Sequence, residues 1–509
     1  MKNNPAQQSD NQPERGQPCP RVPAGGSVSL SPPAGREPER GVPPFGEIFL
    51  ALSRRKGRAN RLPLALVLFG HVVNTTFAGD WPQLFGPHAN GVSDETGLLE
   101  KWPAQGPPIV WEKPLGTGYG EASVIAKRLV VHHRIANEEI AECLDAATGA
   151  PLWRHAEPTQ FEDPYGYNNG PRSTPLLTSN RCYTFGAEGK LTCLDLATGA
   201  LIWRRDTSKE WNVPPAFFGV GSSPILEGNL LIVMVGGQPD SGVVALDSAT
   251  GKTVWESVGQ KNWNGVTMTG WPGERTAVWH ITEKQASYST PVAATIHGQR
   301  QILCLTRQGL ISLNPTNGAV NFSFWFRAQQ EESVNAMNPV VVGDTVFISS
   351  AYYQTGSVLL RVKPDNRGVE EIWRGTQLEQ HWMTPMVFGG CFYAFSGRNE
   401  PDARFRCVEI ATGKLMWDID ESWPHYGEGQ PNVYGRGSMI VADGKFIAVG
   451  EGGLLGLFKL SPTGPEEISR FQVPSLHHPC WAAPVLCNGK LYLRSEDHLV
   501  CLNLSKPSP

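Results

Sequence analysis

Short apolar segments recur along this chain, and each is followed by a polar turn and a second segment in which apolar and polar residues alternate. The segment STPLLTSNRCY begins at Ser173, and APVLCNGKLYL begins at Ala483. A short apolar run, a turn with Gly or Asn and an alternating run together predict a β-hairpin. Eight such elements occur, beginning at Glu121, Ser173, Ser222, Ser289, Asn338, Thr384, Ser438 and Ala483.

A second pattern follows these hairpins and recurs with little change. It reads CLDAATGAPLW from Cys143, CLDLATGALIW from Cys193 and ALDSATGKTVW from Ala245. A period of about 50 residues is typical of propeller blades that contain four strands each. The glycine of this pattern recurs at Gly149, Gly199, Gly251, Gly318, Gly368, Gly413 and Gly464.

The acidic residue of the repeat predicts a turn rather than a catalytic group. Asp145, Asp195 and Asp247 precede the glycine, and Glu409 takes the same place in a weaker copy. Such an aspartate accepts hydrogen bonds from backbone N–H groups two residues on, and glycine supplies a left-handed backbone conformation. The aromatic residue that follows is expected to pack between neighbouring sheets. It is Trp153, Trp203, Trp255, Trp373 or Trp417.

These patterns predict an all-β fold, an eight-bladed β-propeller of four-stranded antiparallel blades. The last unit ends at LVCLNLS without a following tryptophan, and IVWEKPL around Trp111 is available to complete it. Pairing the N- and C-terminal strands in this way closes the ring and removes two exposed sheet edges. Seven or fewer blades with a separate small domain, or a pair of β-sandwiches, are the alternatives.

The N-terminal region divides into two segments before the propeller. Residues 1–53 are rich in Pro, Gly, Ser and charge and predict a disordered extension, which an over-extended translation start would explain. Residues 54–78 combine a basic stretch, an apolar run from Leu62 to Val73 and the small-residue site Thr76-Phe77-Ala78, which predicts a signal peptide. The alternatives, a buried helix or a membrane anchor, suit the run less well, because a span needs about 20 apolar residues.

Cleavage there leaves residues 79–509 as an exported propeller without a transmembrane anchor, in the periplasm, the cell envelope or the extracellular space.

The formal charge of −4 gives no cationic excess for nucleic acid. None of the ten cysteines forms a CxxC motif or a Cys/His cluster at metal-ligand spacing, so no metal site is predicted. Cys182 with Cys193, and Cys391 with Cys407, flank hairpins. Buried thiol pairs are favoured there over disulfides.

The (A/C)LDxxTGxxxW pattern resembles the repeat of pyrroloquinoline-quinone (PQQ) propellers, from about Trp81 to Ser505. GDWPQLFGPHANGVSDETGLLEKWP, which begins at Gly79, resembles the opening of exported bacterial proteins described as PQQ-like or polyvinyl-alcohol-dehydrogenase-like. The resemblance implies one of two activities. Quinoprotein dehydrogenases hold PQQ and Ca²⁺ at the propeller centre and oxidise alcohols or sugars, whereas BamB-like outer-membrane assembly lipoproteins bind protein partners.

Three departures from these relatives bear on the choice. Many quinoproteins carry a disulfide between adjacent cysteines, and the closest pair here is Cys480 and Cys487. No set of calcium ligands with a catalytic Asp can be matched. No cysteine follows the expected cleavage site to carry a lipid. The leading hypothesis is therefore a non-catalytic, monomeric binding protein for a protein, peptide or polymer, and a PQQ- and Ca²⁺-dependent dehydrogenase is the alternative.

The residues just before each inner strand predict where a ligand binds, because they surround the central funnel. This set does not follow the repeat, and its cations, amides and aromatic rings suit a planar or anionic ligand or a peptide. For a quinone, Arg172 and Arg436 would hold carboxylates, with a His or Glu121 as general base. For each residue of the set, a structural role in capping or packing is the alternative. The set is Tyr119, Glu121, Asn169, Arg172, Phe218, Tyr288, Asn335, Asn338, His381, Trp382, Tyr434, Arg436, His478 and Trp481.

The longest repeat interval contains an insertion with three tryptophans, from Trp263 to His280. Extra loops of repeat proteins tend to cluster on one functional face, which favours a lid or a partner-binding loop. An elongated hairpin that packs on its own blade is an equal alternative.

Overall fold

A computed structural model describes residues 79–263, 287–328, 333–423 and 432–506. These residues form eight four-stranded antiparallel sheets, which confirms the eight-bladed propeller and makes the seven-blade and sandwich alternatives wrong. The expected extension at 1–53, the signal peptide at 54–78 and most of the insertion, 264–286, lie outside the described residues. No helix in the described part is long and apolar enough to cross a bilayer.

The strands follow one another from the inner to the outer edge of each blade. Strand β1 is Ile109–Pro114. Blade 1 contains β2 (Ser123–Ile125), β3 (Arg128–Ile135), β4 (Glu138–Asp145) and β5 (Pro151–Pro158). Blade 2 contains β6 (Leu176–Leu177), β7 (Arg181–Phe185), β8 (Lys190–Asp195) and β9 (Leu201–Asp206), after which helix α1 spans Thr207–Glu210. Blade 3 contains β10 (Ile225–Glu227), β11 (Leu230–Gly237), β12 (Ser241–Asp247) and β13 (Thr253–Ser257), after which α2 spans Gln260–Trp263.

The second half of the ring repeats this order. Blade 4 contains β14 (Val292–Ile296), β15 (Gln299–Leu305), β16 (Gly309–Leu313) and β17 (Val320–Trp325). Blade 5 contains β18 (Val340–Val342), β19 (Thr345–Ser350), β20 (Gly356–Val362) and β21 (Val369–Gly375), with a 3₁₀ turn at Tyr352–Gln354. Blade 6 contains β22 (Met386–Phe388), β23 (Cys391–Ser396), β24 (Arg404–Glu409) and β25 (Leu415–Asp420), with a 3₁₀ turn at Glu400–Asp402. Blade 7 contains β26 (Ser438–Ala442), β27 (Lys445–Val449), β28 (Leu454–Ser461) and β29 (Gly464–Gln472), and blade 8 contains β30 (Val485–Cys487), β31 (Lys490–Arg494) and β32 (His498–Asn503).

The outer strand of blade 8 is β1, so the two ends of the described chain close the ring. Trp111 lies opposite Cys501 and Glu112 lies opposite Val500 in this antiparallel pair. The sequence-based prediction of closure is therefore confirmed. Middle strands such as β16 are buried along their whole length because each blade packs on two neighbours, whereas β1 alternates between exposed and half-buried residues at the rim.

The repeated turn joins each blade to the one before it. In the copy at Cys193, the Asp195 carboxylate accepts hydrogen bonds from the backbone N–H groups of Ala197 and Thr198, at 3.1 and 2.9 Å. The Trp153 indole of blade 1 donates to the carbonyl of Leu196 in blade 2, at 2.9 Å. The turn and packing roles predicted for Asp and Trp are thus observed together.

A glycine is required where the indole packs against this turn. Gly199 has a φ of +73°, and a Cβ added to it would lie 2.6 Å from Cε3 of Trp153. Both the left-handed backbone and the lack of space exclude a larger side chain. The same close approach occurs at Gly149, Gly251, Gly318 and Gly413.

The segment that precedes β1 covers one end of the central channel. Trp81 pairs with Val124 of β2, and Pro82 accepts a hydrogen bond from the backbone N–H of Leu177, at 2.8 Å. Further along, Val92 pairs with Val441 of β26. The Glu95 carboxylate accepts from the N–H groups of Asn488 and Gly489, at 2.5 and 2.6 Å, in the turn between β30 and β31.

The nine cysteines of the described part are buried free thiols. Cys182 lies opposite Leu194, and Cys193 lies opposite Tyr183, so the two cysteines are one position apart in register and lie on opposite faces of the sheet. Cys391 lies opposite Glu409, and Cys407 lies opposite Tyr393, so these two cysteines are two positions apart and share one face of their sheet. Burial raises the pKa of Cys193 to about 12, so the thiol stays protonated at neutral pH. The buried thiol pair predicted for Cys391 and Cys407 is therefore present, whereas the pair predicted for Cys182 and Cys193 is not, because their side chains lie on different faces of the sheet.

Gly199→Ala is predicted to destabilise the propeller more than Gly298→Ala. Gly298 has a φ of +74°, but no atom lies within 4 Å of its added Cβ, so it serves as a control for backbone strain alone. Strain costs about 1–2 kcal/mol, and overlap with the indole adds about 1–3 kcal/mol for Gly199→Ala. Urea unfolding measures both losses, and equal losses would contradict the proposed role of the indole contact.

Candidate binding face at the central channel

Loops that precede the inner strands bring aromatic rings together at the end of the channel opposite the N-terminal segment. Trp481 of the loop before β30 is the centre, with ring centroids 4.7 Å from Tyr119 and 4.8 Å from Trp382. These side chains come from the loops of blades 8, 1 and 6. Residues that precede inner strands of different blades therefore contact one another, as part of the predicted set was expected to do.

The ring contacts continue across the channel. Successive centroids lie 5.2, 4.8, 4.8, 5.8, 5.8 and 5.5 Å apart, distances usual for interacting aromatic pairs. The series links blades 5, 6 and 8 to blades 2, 3 and 4, so it holds opposite sides of the ring together. In order, its members are Tyr352, His381, Trp382, Trp481, Tyr167, Phe218 and Tyr288.

Three tyrosines of this region expose a large part of their surface. The exposed fractions are 50% for Tyr165, 56% for Tyr167 and 39% for Tyr353. Tyr353 has a φ of +51°, a left-handed conformation that is uncommon for a residue with a bulky side chain. The Arg398 guanidinium carbon lies 4.8 Å from the Tyr353 ring centroid. We call the aromatic face the set Tyr119, Tyr165, Tyr167, Phe218, Tyr353, Trp382 and Trp481.

A buried ion pair supports the two tryptophans. Arg436 is almost completely buried, and its Nη2 lies 2.8 Å from Oε2 of Glu451, which is fully buried in the turn between β27 and β28. Arg436 also pairs with Glu400. Its guanidinium carbon lies 4.7 Å from the Trp382 ring centroid, and the Trp481 indole donates to Glu451 at 3.3 Å. Glu451 thus fixes both rings, either through Arg436 or directly.

Burial, neighbouring charges and hydrogen bonds set the pKa values of the groups around this pair. Burial alone would raise the pKa of Glu451, but the charge of Arg436 and hydrogen bonds from His478 and Arg436 lower it to about 2. Burial, together with the positive charges of Arg436 and Arg398, lowers the pKa of His381 to about 3. At neutral pH the region therefore holds a carboxylate, a guanidinium and a neutral imidazole.

Arg172 and the predicted amides bind the protein's own backbone. Arg172 pairs with the buried carboxylate of Asp163 and donates to the carbonyls of Gly170 and Asn168, at 3.0 and 3.1 Å. Asn169 accepts from the N–H of Asp163 at 2.8 Å. These contacts shape the loop that carries Tyr165 and Tyr167.

Asn335 and Asn338 also form hydrogen bonds with the protein's own backbone. The Asn335 amide donates to the carbonyls of Thr306 and Phe326, both at 2.9 Å, and Asn338 accepts from the N–H of Thr290 at 2.7 Å. Both side chains are buried. They hold loops together beneath the aromatic face.

Two members of the predicted set lie away from the face. The Glu121 carboxylate is buried against the N-terminal segment and accepts from the N–H of Phe85 at 3.3 Å. Burial raises its pKa to about 8, so it is mainly protonated at pH 7. Tyr434 is buried between blades 6 and 7, and its hydroxyl donates to Glu467 at 2.9 Å. Neither side chain belongs to the aromatic face.

Several residues of the face were not in the predicted set. Tyr165 and Tyr167 lie in the loop between β5 and β6, and the repeated Tyr of PYGYNNG was the available signal. Tyr353 and Glu451 follow middle strands rather than preceding inner ones. No pattern in the sequence indicates that these turns reach the same end of the channel.

The described residues do not fit PQQ with Ca²⁺. Arg172 and Arg436, the cations expected to hold quinone carboxylates, are each already neutralised by a buried carboxylate. Glu400, Glu451 and His478 bring possible ligand atoms within 4.8 Å of one another, but the Arg436 guanidinium pairs with both carboxylates. Trp481, which lies between the loops that carry these groups, is in contact with Tyr119 and Trp382.

Glu451→Gln is predicted to destabilise the protein by about 3 kcal/mol at pH 7, because it removes the fully buried carboxylate partner of Arg436 and leaves only Glu400 paired with the guanidinium. The folded-state pKa of Glu451, about 2, lies below its ordinary value of 4.5. The stabilisation is therefore complete above pH 4.5 and is lost as the pH falls towards 2. Urea unfolding at several pH values measures this, with the exposed Glu466→Gln on the same blade as control. An effect that does not change with pH would contradict the ion-pair explanation.

The comparisons with known proteins agree with this architecture. BamB from Moraxella catarrhalis has a TM-score of 0.52 at 14% identity, covering 79% of this chain and 99% of that chain. A quinohemoprotein alcohol dehydrogenase from Comamonas testosteroni has a TM-score of 0.58 at 12% identity, covering 85% of this chain and 81% of that chain. At these identities the likeness shows the fold alone.

Among the curated proteins, no sequence matches this chain. A family model described as outer membrane protein assembly factor BamB matches residues 136–418, which is more than half of the chain. The chain therefore belongs to the BamB family of PQQ-like β-propellers.

Proposed function

We propose that this protein is a non-catalytic binding protein that holds a protein or peptide segment on its aromatic face. The observation that carries the proposal is the exposure of Tyr165, Tyr167 and Tyr353 above a series of rings in mutual contact. Tyrosine offers large contact area and a hydroxyl at a low entropic cost, since it has only two side-chain torsions. The face is thus suited to recognition.

The charges near the face support binding rather than electron transfer to or from a cofactor. Arg436 and Arg172 are neutralised within the protein, so an anionic small molecule gains little from them. Aromatic faces and hydroxyl groups remain for contact with apolar side chains, cations and peptide groups. A peptide segment offers all three kinds of contact.

Export belongs to the same proposal. Residues 54–78 act as a signal peptide, residues 1–53 are not part of the mature protein, and residues 79–509 form the mature, monomeric propeller in the periplasm or elsewhere in the cell envelope. The basic stretch, apolar run and small-residue site of the sequence support this assignment. Binding to envelope proteins would then take place outside the cytoplasm.

A photo-cross-linking amino acid at position 167 is predicted to capture a partner, and the same amino acid at position 152 is not. Leu152 is exposed to a similar extent but lies on outer strand β5. With the captured partner identified and purified, Tyr167→Ala should weaken Kd about 30-fold, which corresponds to about 2 kcal/mol for a buried aromatic contact. Leu152→Ala should leave Kd unchanged. Capture from position 152 alone, or equal Kd values, would place binding elsewhere.

The full chain is predicted to show no saturable PQQ binding and no dye reduction when it is incubated with PQQ, Ca²⁺ and a panel of alcohols and sugars. A quinoprotein alcohol dehydrogenase reconstituted in parallel is the positive control. The physical reason is that both expected cation partners are already paired with carboxylates. Saturable binding with turnover would replace the proposed function by the dehydrogenase alternative.

A further inference from the structure

Two histidines and one aspartate meet at the rim of blade 8. His477 lies in the loop before β30, and Asp497 and His498 lie where the turn after β31 leads into β32. Each offers one ligand atom, and the three atoms lie within 4.8 Å of one another. This turn and this loop are on the same end of the propeller as the aromatic face.

The distances within the cluster suit a metal ion with nitrogen and oxygen ligands. His477 Nε2 lies 3.3 Å from Oδ1 of Asp497, and His498 Nδ1 lies 2.9 Å from the same oxygen. Zinc–ligand bonds of about 2.0–2.2 Å in a tetrahedral site separate ligand atoms by about 3.3–3.5 Å. The observed distances differ from these by only a few tenths of an ångström.

Backbone contacts hold both halves of the cluster in place. The carbonyl of Asp497 accepts from the N–H of Leu115 at 2.6 Å, and Ser495 donates to the Asp497 carboxylate at 3.2 Å. On the other side, the Cys480 thiol donates to the carbonyl of His477 at 3.1 Å. The ligands of a metal ion would therefore be largely pre-organised, and Ser495 would orient the carboxylate through its hydrogen bond.

The cluster is open to solvent. Side-chain exposures are 48% for His477, 43% for Asp497 and 31% for His498. Three protein ligands leave a fourth tetrahedral position for water or for a side chain of a partner. An ion can therefore enter without movement of the fold.

Other His–carboxylate contacts in the described residues differ in a decisive respect. His88 with Asp94, at 2.7 Å, and His155 with Glu157, at 2.9 Å, each bring one imidazole to one carboxylate. Glu157 is in addition paired with Arg204. The rim of blade 8 brings two imidazoles to one carboxylate.

We propose that His477, Asp497 and His498 form a binding site for one Zn²⁺ ion. Imidazole nitrogens with a carboxylate oxygen are ligands that zinc accepts readily. The bound ion would join the loop that carries Trp481 to the turn between β31 and β32. It would thereby restrain one ring of the aromatic face, although the zinc site does not depend on the proposed function.

Isothermal titration of the tag-free, chelator-treated full chain with Zn²⁺ tests the site. We expect one ion per chain at micromolar Kd or tighter, and at least about tenfold weaker binding for His477→Gln, His498→Gln and Asp497→Asn. His88→Gln, which removes the imidazole of a single His–Asp contact, is the matched control and should bind as the parent chain does. Co²⁺ should give visible absorption bands that His477→Gln and His498→Gln abolish.

Thermal unfolding without metal establishes that each variant is folded, and these half-exposed positions are expected to tolerate the changes. Absence of saturable Zn²⁺ binding would overturn the proposal. So would Zn²⁺ binding that His477→Gln and His498→Gln leave unchanged, because the ion would then occupy another set of ligands.

Discussion

The hydrogen bond from a tryptophan indole to a carbonyl in the turn of the next blade is the contact on which the ring depends. It occurs at six interfaces, at 2.7 to 3.2 Å, and the Trp111 bond to Ala146 joins the blade that closes the ring to the first one. Phe322, which cannot donate, takes the tryptophan's place in blade 4, and the strand register puts Ser469 there in blade 7. The bond satisfies the one polar group of a large packed ring, so neighbouring blades gain apolar contact without a buried unpaired donor.

This dependence explains why the fold could be predicted from the sequence. Five turns have a glycine whose added Cβ would overlap an indole, so the requirement appears as a visible period at Gly149, Gly199, Gly251, Gly318 and Gly413. In all eight blades, the pairing register shifts by one residue just before the position of that aromatic residue, as between Cys193 and Leu194 opposite Trp203 and Leu201. Such a bulge directs the side chain towards the neighbouring blade.

The aromatic face was only partly predictable, because only some of its residues precede the short inner strands. Trp382, Trp481 and Phe218 precede those strands and do reach the end of the channel opposite the N-terminal segment. Glu121 also precedes one, but its carboxyl group lies against the N-terminal segment, a contact that no local pattern reports. Glu451 and Tyr353 belong to hairpin turns on the same end. Which residues meet there depends on how the blades stack, and the repeat holds information only on the contacts that recur.

The two ends of the channel therefore serve different purposes. One is covered by the N-terminal segment and adds to the core, whereas the other presents rings whose positions are set by a buried carboxylate. Trp481 donates to Glu451, and the backbone N–H of Cys480 donates to the Glu451 carbonyl, at 2.9 Å. His477 lies in the same loop, four residues before Trp481. Because the loop is short and bonded at both places, a restraint on His477 would also act on Trp481, the central ring of the aromatic face, and this couples the proposed zinc site to the proposed recognition face.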